Sequence, residues 1–165
     1  VETARGILHV EALAAADERV VILAFGAEDF TRDIGCYRSE RSLLHARAQL
    51  VIAARAADVQ ASDTVFADLS DEKGLAEECA LAREIGFDGK GAINPRQLSV
   101  IHQAFTPTEA EIAYASRVVL AATEAEAAGS GAVALDGRMV DRPVLERAQR
   151  LIRYAERLGV RGDAG

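Results

Sequence analysis

Cysteine, proline and methionine are scarce in this sequence, and so is positive charge. Its 165 residues include two cysteines, three prolines, one methionine and no tryptophan. Acidic side chains outnumber basic ones by 26 to 19, and the resulting net charge of −7 argues against charge-driven binding to nucleic acid or to an anionic membrane. No apolar run approaches the roughly 20 residues that a transmembrane helix needs. We therefore expect partners that are neither nucleic acid nor membrane.

The cysteines bear on the cellular compartment, and the single methionine bears on whether the chain is a fragment. Cys36 and Cys79 lie far apart, form no CxxC pair and have no histidine nearby in a ligand pattern. This usage is typical of unpaired thiols in a reducing cytosol, so we expect a cytoplasmic protein. The chain begins Val-Glu-Thr and its only methionine is Met139, from which we expect a fragment, a processed product or a trimmed domain.

What the sequence does contain is an alternation of apolar periodicities. Amphipathic stretches with a helical repeat alternate with short apolar runs that are typical of buried strands. In chain order, helices are predicted at 4–16, 41–58 and 72–86, and strands at 20–25, 63–69 and 90–94. This alternation predicts an α/β fold with a parallel sheet.

The alternation stops after Thr106. A helix is predicted to begin with Thr106 or Thr108 as its N-cap and to run to Gly129. The stretch "GSGAVALDGRMVDRP" reads as a glycine-punctuated loop around a short apolar stretch, and a last helix is predicted at 143–158. The chain is therefore expected to have two parts, 1–105 and 106–165.

Two carboxylates, Glu28 and Asp29, follow the apolar run at 20–25 almost at once. Most acidic residues just after a strand are simply solvated, whereas a few bind a ligand. The pair by itself leaves both interpretations open.

Several segments resemble one family. Five stretches occur in the order and at the approximate spacing of the citrate lyase β-subunit-like branch of the HpcH/HpaI aldolase superfamily: "VETARGI", "FGAEDFTRDIG", "DTVFADLSDEKGL", "GFDGKGAINPRQLSVIHQAFTPTEAEIAYA" and "VALDGRMVDRPVLERA". This resemblance implies a (β/α)8 TIM barrel. A whole barrel takes about 250 residues, so we expect only its C-terminal half, strands five to eight, with Val1–Thr3 at the end of strand five. Residues 106–165 would be a helical extension that packs on a neighbouring subunit.

The resemblance also implies a metal site. The family carries its Mg²⁺ ligands at the positions that match Glu2 and Asp29. Both would lie at the carboxyl ends of adjacent strands, which run about 4.8 Å apart, and two carboxylates suit Mg²⁺ because it retains water and substrate oxygens as further ligands. Glu28 is expected to point away or to orient the turn.

Three further positions are candidates for the site, the first of them through the resemblance. Asp141 matches an acid that acts in some family members as general acid/base in a neighbouring subunit's site, while its place before Arg142-Pro143 equally suits a helix cap. Arg32 and Arg38, expected in the loop after strand six, would meet an anionic substrate or a coenzyme phosphate, or would simply be surface arginines. Asp68 and Asp136 are weaker candidates.

One position departs from the family pattern. Asn94 stands where the family usually has histidine, so a titrating group is lost there.

The expected function is that of a Mg²⁺-dependent carbon–carbon lyase. Its substrate would be a hydroxyacyl thioester of the citryl, malyl or citramalyl type, carried on coenzyme A or an acyl carrier protein and cleaved to an acyl thioester and a 2-oxo acid or an aldehyde acid. The resemblance implies a homo-oligomer, commonly a trimer. The alternative is a non-catalytic half-barrel that serves as an assembly or interaction module, because open sheet edges favour association.

Overall fold

The chain divides into two compact units, Val1–Phe105 and Thr106–Gly165. This computed structural model describes residues 1–127, 129 and 133–160. Within those residues, no helix combines the length and the apolar character needed to cross a bilayer.

The first unit alternates helices with three short strands. In chain order its elements are α1 (Ala4–Leu8), α2 (Val10–Ala14), β1 (Ile22–Ala24), α3 (Ala27–Ile34), α4 (Glu40–Ala56), β2 (Gln60–Asp63), α5 (Glu72–Ile85), β3 (Gly89–Lys90), a 3-10 turn (Pro95–Gln97) and α6 (Leu98–Phe105). The predicted α/β alternation is confirmed. The helix predicted at 4–16 is two helices, because the backbone of His9 leaves helical geometry at φ −116° and ψ 17°.

The strands form one parallel sheet in the order β1-β2-β3, with Leu23 opposite Ala61 and Asp63 opposite Lys90. The other edge of β1 pairs with the first residue of the chain. The Val1 amino nitrogen donates to the Ala24 carbonyl at 2.5 Å, and the Gly26 N–H donates to the Val1 carbonyl at 3.0 Å. Residues 1–2 therefore lie alongside the carboxyl end of β1.

All three strands are shorter than predicted, and the second is displaced. The strand expected at 20–25 is Ile22–Ala24, and the one expected at 90–94 is Gly89–Lys90. The strand expected at 63–69 is Gln60–Asp63 and shares only Asp63 with the prediction. Beyond β2, side chains bind the backbone groups that a neighbouring strand would otherwise bind. The carbonyls of Val65 and Phe66 accept from Arg38 Nη2 and Gln97 Nε2, at 3.1 and 2.8 Å.

One face of the sheet is covered by helices and the other is exposed. Leu23 and Ala61 are buried in a core with residues of α2, α4 and α5, among them Leu50 and Cys79. Their neighbours Ile22 and Ala24, which point to the opposite face, are exposed. Cys79 and the partly exposed Cys36 are both unpaired, as predicted, and burial raises the pKa of the Cys79 thiol.

The second unit packs two helices with a hairpin. Its elements are α7 (Glu109–Ala127), β4 (Val133–Leu135), β5 (Arg138–Val140) and α8 (Arg142–Arg157). Thr108 is the cap of α7: Thr108 Oγ1 accepts from the Glu111 N–H, and Glu111 Oε2 accepts from the Thr108 N–H. The stretch predicted as a loop contains instead an antiparallel pair, β4 and β5, joined by Asp136 and Gly137.

Candidate functional site

Glu2 lies against the start of α3. Gly26 is the N-cap of that helix, and a Cβ added to Gly26 would come within 2.9 Å of Glu2 Cβ and 3.0 Å of Glu2 Oε2. Only a residue without a side chain leaves room there for the glutamate. The exposed Glu2 carboxylate is thereby held beside the carboxyl end of β1.

Asp29 is the third residue of α3, which starts directly after Gly26. Its side chain is 43% exposed, and Asp29 Oδ1 lies 2.7 Å from Arg32 Nη2. Glu2 and Asp29 therefore both lie at the carboxyl end of β1, with Gly26 between their two segments. The structure describes the positions of Glu2 and Asp29, and their role as metal ligands stays a prediction.

The start of α3 is fixed by contacts with its neighbours. The Ala27 N–H donates to buried Thr64 Oγ1 at 3.1 Å, which ties the helix to the residue after β2. The rings of Phe25 and Phe30 lie 5.4 Å apart at 58°, a tilted aromatic pair. These contacts place the acidic first turn of α3 at the carboxyl ends of β1 and β2.

The far end of α3 is tied to α1. The Ala4 N–H donates to Asp33 Oδ2 at 2.7 Å. Because Ala4 follows Glu2 by two residues, this bond helps to hold the chain segment that carries Glu2 beside α3.

A buried ion network lies between the sheet and the helices. Arg47 on α4 binds Asp63 in two places, Nε to Oδ1 at 3.0 Å and Nη2 to Oδ2 at 2.8 Å. Lys90 Nζ lies 3.0 Å from Asp63 Oδ2 and 2.5 Å from Glu78 Oε1. The side chains of Asp63 and Lys90 are completely buried.

The sequence predictions missed this network. The sequence did contain one signal for it, an arginine on the apolar stripe of α4: Arg47 lies four residues after Leu43 and four before Val51. A cation on such a stripe needs a buried anion as partner.

Arg38 extends the network toward Asp29. Arg38 Nη2 lies 3.2 Å from Glu78 Oε1, and its Nε lies 3.2 Å from Glu28 Oε1. The interpretation of Arg38 as an ordinary surface arginine is wrong, since only 26% of its side chain is exposed and its guanidinium is ion-paired. Arg32 does not lie in a loop as predicted; it is on α3 and is paired with Asp29.

The remaining acidic candidates bind local backbone or side-chain groups. Asp141 is the N-cap of α8 and accepts from the Val144 N–H at 3.2 Å, so its capping role is confirmed. Asp136 binds Arg117 Nη2 through both oxygens, at 2.6 and 2.8 Å. Asp68 accepts from Ser70, and these hydrogen bonds lower the pKa of its carboxyl group.

Asn94 also has a local role: it caps the 3-10 turn by accepting from the Arg96 N–H at 3.0 Å. The three histidines, His9, His45 and His102, are exposed. In the described part of the chain, no three or more histidine, cysteine or carboxylate side chains cluster as a metal site.

The chain belongs to the HpcH/HpaI aldolase/citrate lyase family, whose profile matches residues 1–95. It is 41% identical to the citrate lyase subunit beta of Haemophilus influenzae, over 94% of this chain and 54% of that protein. It is 34% identical to the mitochondrial citramalyl-CoA lyase of Rattus norvegicus, over 94% of this chain and 49% of that protein. The chain thus spans about half the length of these relatives, both of which are named lyases.

A solved structure is similar as well. The crystal structure of protein CitE from Mycobacterium tuberculosis in complex with magnesium, acetoacetate and coenzyme A matches with a TM-score of 0.83 and 37% identity. The match covers 94% of this chain and 59% of that one. The described α/β fold is therefore that of citrate lyase β-like proteins.

Proposed function

We propose that this chain is part of a Mg²⁺-dependent carbon–carbon lyase that cleaves a hydroxyacyl thioester. The observation that carries the proposal is the placement of Glu2 and Asp29 at one sheet edge, in a chain of this family. The names of its relatives, and the magnesium and coenzyme A bound in the similar structure, support a thioester of citryl, malyl or citramalyl type.

The residues present fit a magnesium ion. Glu2 and Asp29 supply hard carboxylate oxygens, and Gly26, the N-cap of the helix that carries Asp29, leaves room for Glu2 beside that helix. When bound, the ion would act as a Lewis acid toward the substrate's 2-oxygen and carboxylate. Glu2 and Asp29 would hold it and fix where the substrate binds.

Asp141 is the proposed proton carrier. One of its oxygens, Oδ1, accepts from the Val144 N–H, which fixes the carboxylate at the start of α8. Asp141 would take the proton from the substrate's 2-hydroxyl oxygen as the carbon–carbon bond breaks, and would return it to the α-carbon of the acyl thioester. One proton is moved and none is lost, so the residue ends as it began.

The proposed architecture is a partial (β/α)8 barrel with strands five to eight. The consecutive parallel order β1-β2-β3, and the pairing of Val1 with the free edge of β1, support it. Residues 106–165 would form an extension on a neighbouring subunit of a homo-oligomer, which would bring Asp141 to the adjacent site.

An assay of the full gene product with malyl-, citramalyl- and citryl-coenzyme A tests this function. We expect Mg²⁺-dependent release of a 2-oxo acid from at least one of them. Asp29→Asn should abolish turnover and Mn²⁺ binding, Asp141→Asn should abolish turnover alone, and Asp17→Asn, an exposed acid paired with Arg19, should change neither. No cleavage of any thioester by the wild type would contradict the lyase, and normal Mn²⁺ binding by Asp29→Asn would remove Asp29 as a ligand.

The second candidate, a non-catalytic assembly module, is favoured by the exposed sheet face around Ile22. If it is correct, the full gene product should associate stably but show no lyase activity and bind no divalent metal ion.

A further inference from the structure

Arg38 connects the candidate metal site to the buried core. It lies between the end of α3 and the start of α4, and reaches back to Glu28 in the first turn of α3. Its other side meets Glu78 on α5 and the Val65 carbonyl after β2. One guanidinium thus contacts three segments of the chain: the first turn of α3, α5 and the stretch after β2.

Beyond Glu78 the contacts continue without a break. Glu78 binds Lys90, Lys90 binds Asp63, and Asp63 binds Arg47. From Glu28 to Arg47 the charges alternate in sign. Because the inner members are desolvated, their ion pairs hold a defined geometry that exposed pairs do not.

The outer end of this row is next to the proposed ligand. Glu28 and Asp29 are consecutive residues of the same helical turn. Among the ion pairs of the described residues, Asp29 contacts only Arg32, whose side chain is 79% exposed. Contacts on Glu28 therefore bear on the position of the Asp29 backbone.

We propose that Arg38 is a positioning residue that fixes the first turn of α3, and with it Asp29, rather than a binder of coenzyme phosphate. The inference rests on the proposed function. Two carboxylates, Glu28 and Glu78, already lie against this guanidinium, and its Nη2 also donates to the Val65 carbonyl, so its charge is largely offset within the protein. The row of ion pairs, buried at Asp63 and Lys90, instead reaches Glu28, the residue before Asp29, and can fix the helical turn that carries the carboxylate.

The sign of the effect on metal binding tests this. Charge alone predicts that removing a cation near two carboxylates tightens the binding of Mn²⁺. Positioning predicts the reverse: in the full gene product, Arg38→Gln should weaken Mn²⁺ binding by about tenfold, as for other residues that orient a metal ligand. Electron paramagnetic resonance titration measures this without reference to activity, and Arg38→Lys should recover part of the loss.

Arg55→Gln is the matched control. Arg55 likewise binds a carboxylate, that of Asp88, and a backbone carbonyl, that of Gly86. Neither partner belongs to α3 or to the buried ion network. Arg55→Gln should lower the melting temperature and leave Mn²⁺ affinity unchanged. If Arg38→Gln does not unfold cooperatively, Glu28→Gln and Arg38→Lys are measured singly and together. The two substitutions break the same ion pair, so their effects on Mn²⁺ affinity should not be additive.

A second measurement separates positioning from phosphate binding. With the preferred thioester, Arg38→Gln should reduce kcat/KM equally for the coenzyme A and the pantetheine forms, since only the former carries the nucleotide phosphates. A selective rise in KM for the coenzyme A form, or unchanged or tighter Mn²⁺ binding, would overturn the inference while leaving the lyase intact. Absence of Mn²⁺ binding in the wild type would instead overturn the proposed function, and this inference with it.

Discussion

Arg32 and a bound metal ion would draw on the same carboxylate, because Arg32 Nη2 lies 2.7 Å from Asp29 Oδ1. The pair is well exposed, so its net contribution is small, about 0.2–1 kcal/mol. Arg32→Gln should therefore tighten Mn²⁺ binding about twofold to fivefold by removing this competitor. The measurement is the same spin-resonance titration.

Arg41→Gln, which removes an exposed arginine from α4, is the control for the change in net charge. Equal tightening in both variants would show a general charge effect. Weaker binding in Arg32→Gln alone would show that Arg32 orients the Asp29 carboxylate and does not compete with the ion for it.

Asp63 is the central anion of the buried network, with Arg47 and Lys90 both bound to it. Asp63→Asn removes its charge and leaves two buried cations short of a partner. We expect it to lower the free energy of unfolding by about 3 kcal/mol, as for other broken buried ion pairs. Urea denaturation of the chain measures the loss.

Glu77→Gln is the comparison for Asp63→Asn, since it breaks an exposed ion pair with Lys73 on α5. That change should cost about 0.5 kcal/mol or less. A similar small cost for Asp63→Asn would mean that Arg47 and Lys90 find other partners or water.

At the scale of elements, periodicity predicted the order of helices and strands better than their ends. Apolar residues continue past β2 in the sequence, but the Val65 and Phe66 carbonyls there accept from side chains of Arg38 and Gln97, which come from distant segments. No local pattern contains that information. The contacts of Glu2 with Gly26 are likewise tertiary, and resemblance to a family, rather than spacing, identified the pair.

The hairpin of the second unit, in contrast, had a local signal that was overlooked. Asp-Gly between two short apolar segments is the preferred centre of a two-residue hairpin turn, because both residues take positive φ. Asp136 and Gly137 have φ of 50° and 72°, and Leu135 faces Arg138 across the turn. The hairpin leads directly into Asp141, the cap of α8.

Gly137→Ala should weaken this hairpin. A Cβ at φ 72° has open space around it, so the cost is the left-handed backbone itself, about 1 kcal/mol. Hydrogen exchange at the Val133 and Val140 amides should speed up by about fivefold, which corresponds to that energy. Gly137→Asn, which tolerates the same backbone, should change exchange much less; equal effects would point to a cause other than φ.

At the scale of the whole molecule, the exposed face of the sheet is the feature that calls for a partner. Parallel sheets are normally covered on both faces. In the described residues, helices cover the face that carries Leu23, while Ile22 on the other face is 47% exposed and Ala24 beside it is exposed as well. The proposed partial barrel would use this face inside a closed barrel, and the proposed assembly module would use it as an interface.

The chain should therefore associate in solution through this face, and sedimentation velocity at increasing protein concentration should show the shift to larger species. Ile22→Lys places a charge on the face and should restore the monomer. Ile52→Lys makes the same substitution at a 69% exposed position of α4 and should leave association unchanged. A wild-type chain that stays monomeric at every concentration would contradict the requirement for a covering partner, whereas loss of association in both variants would assign it to general charge repulsion rather than to the sheet.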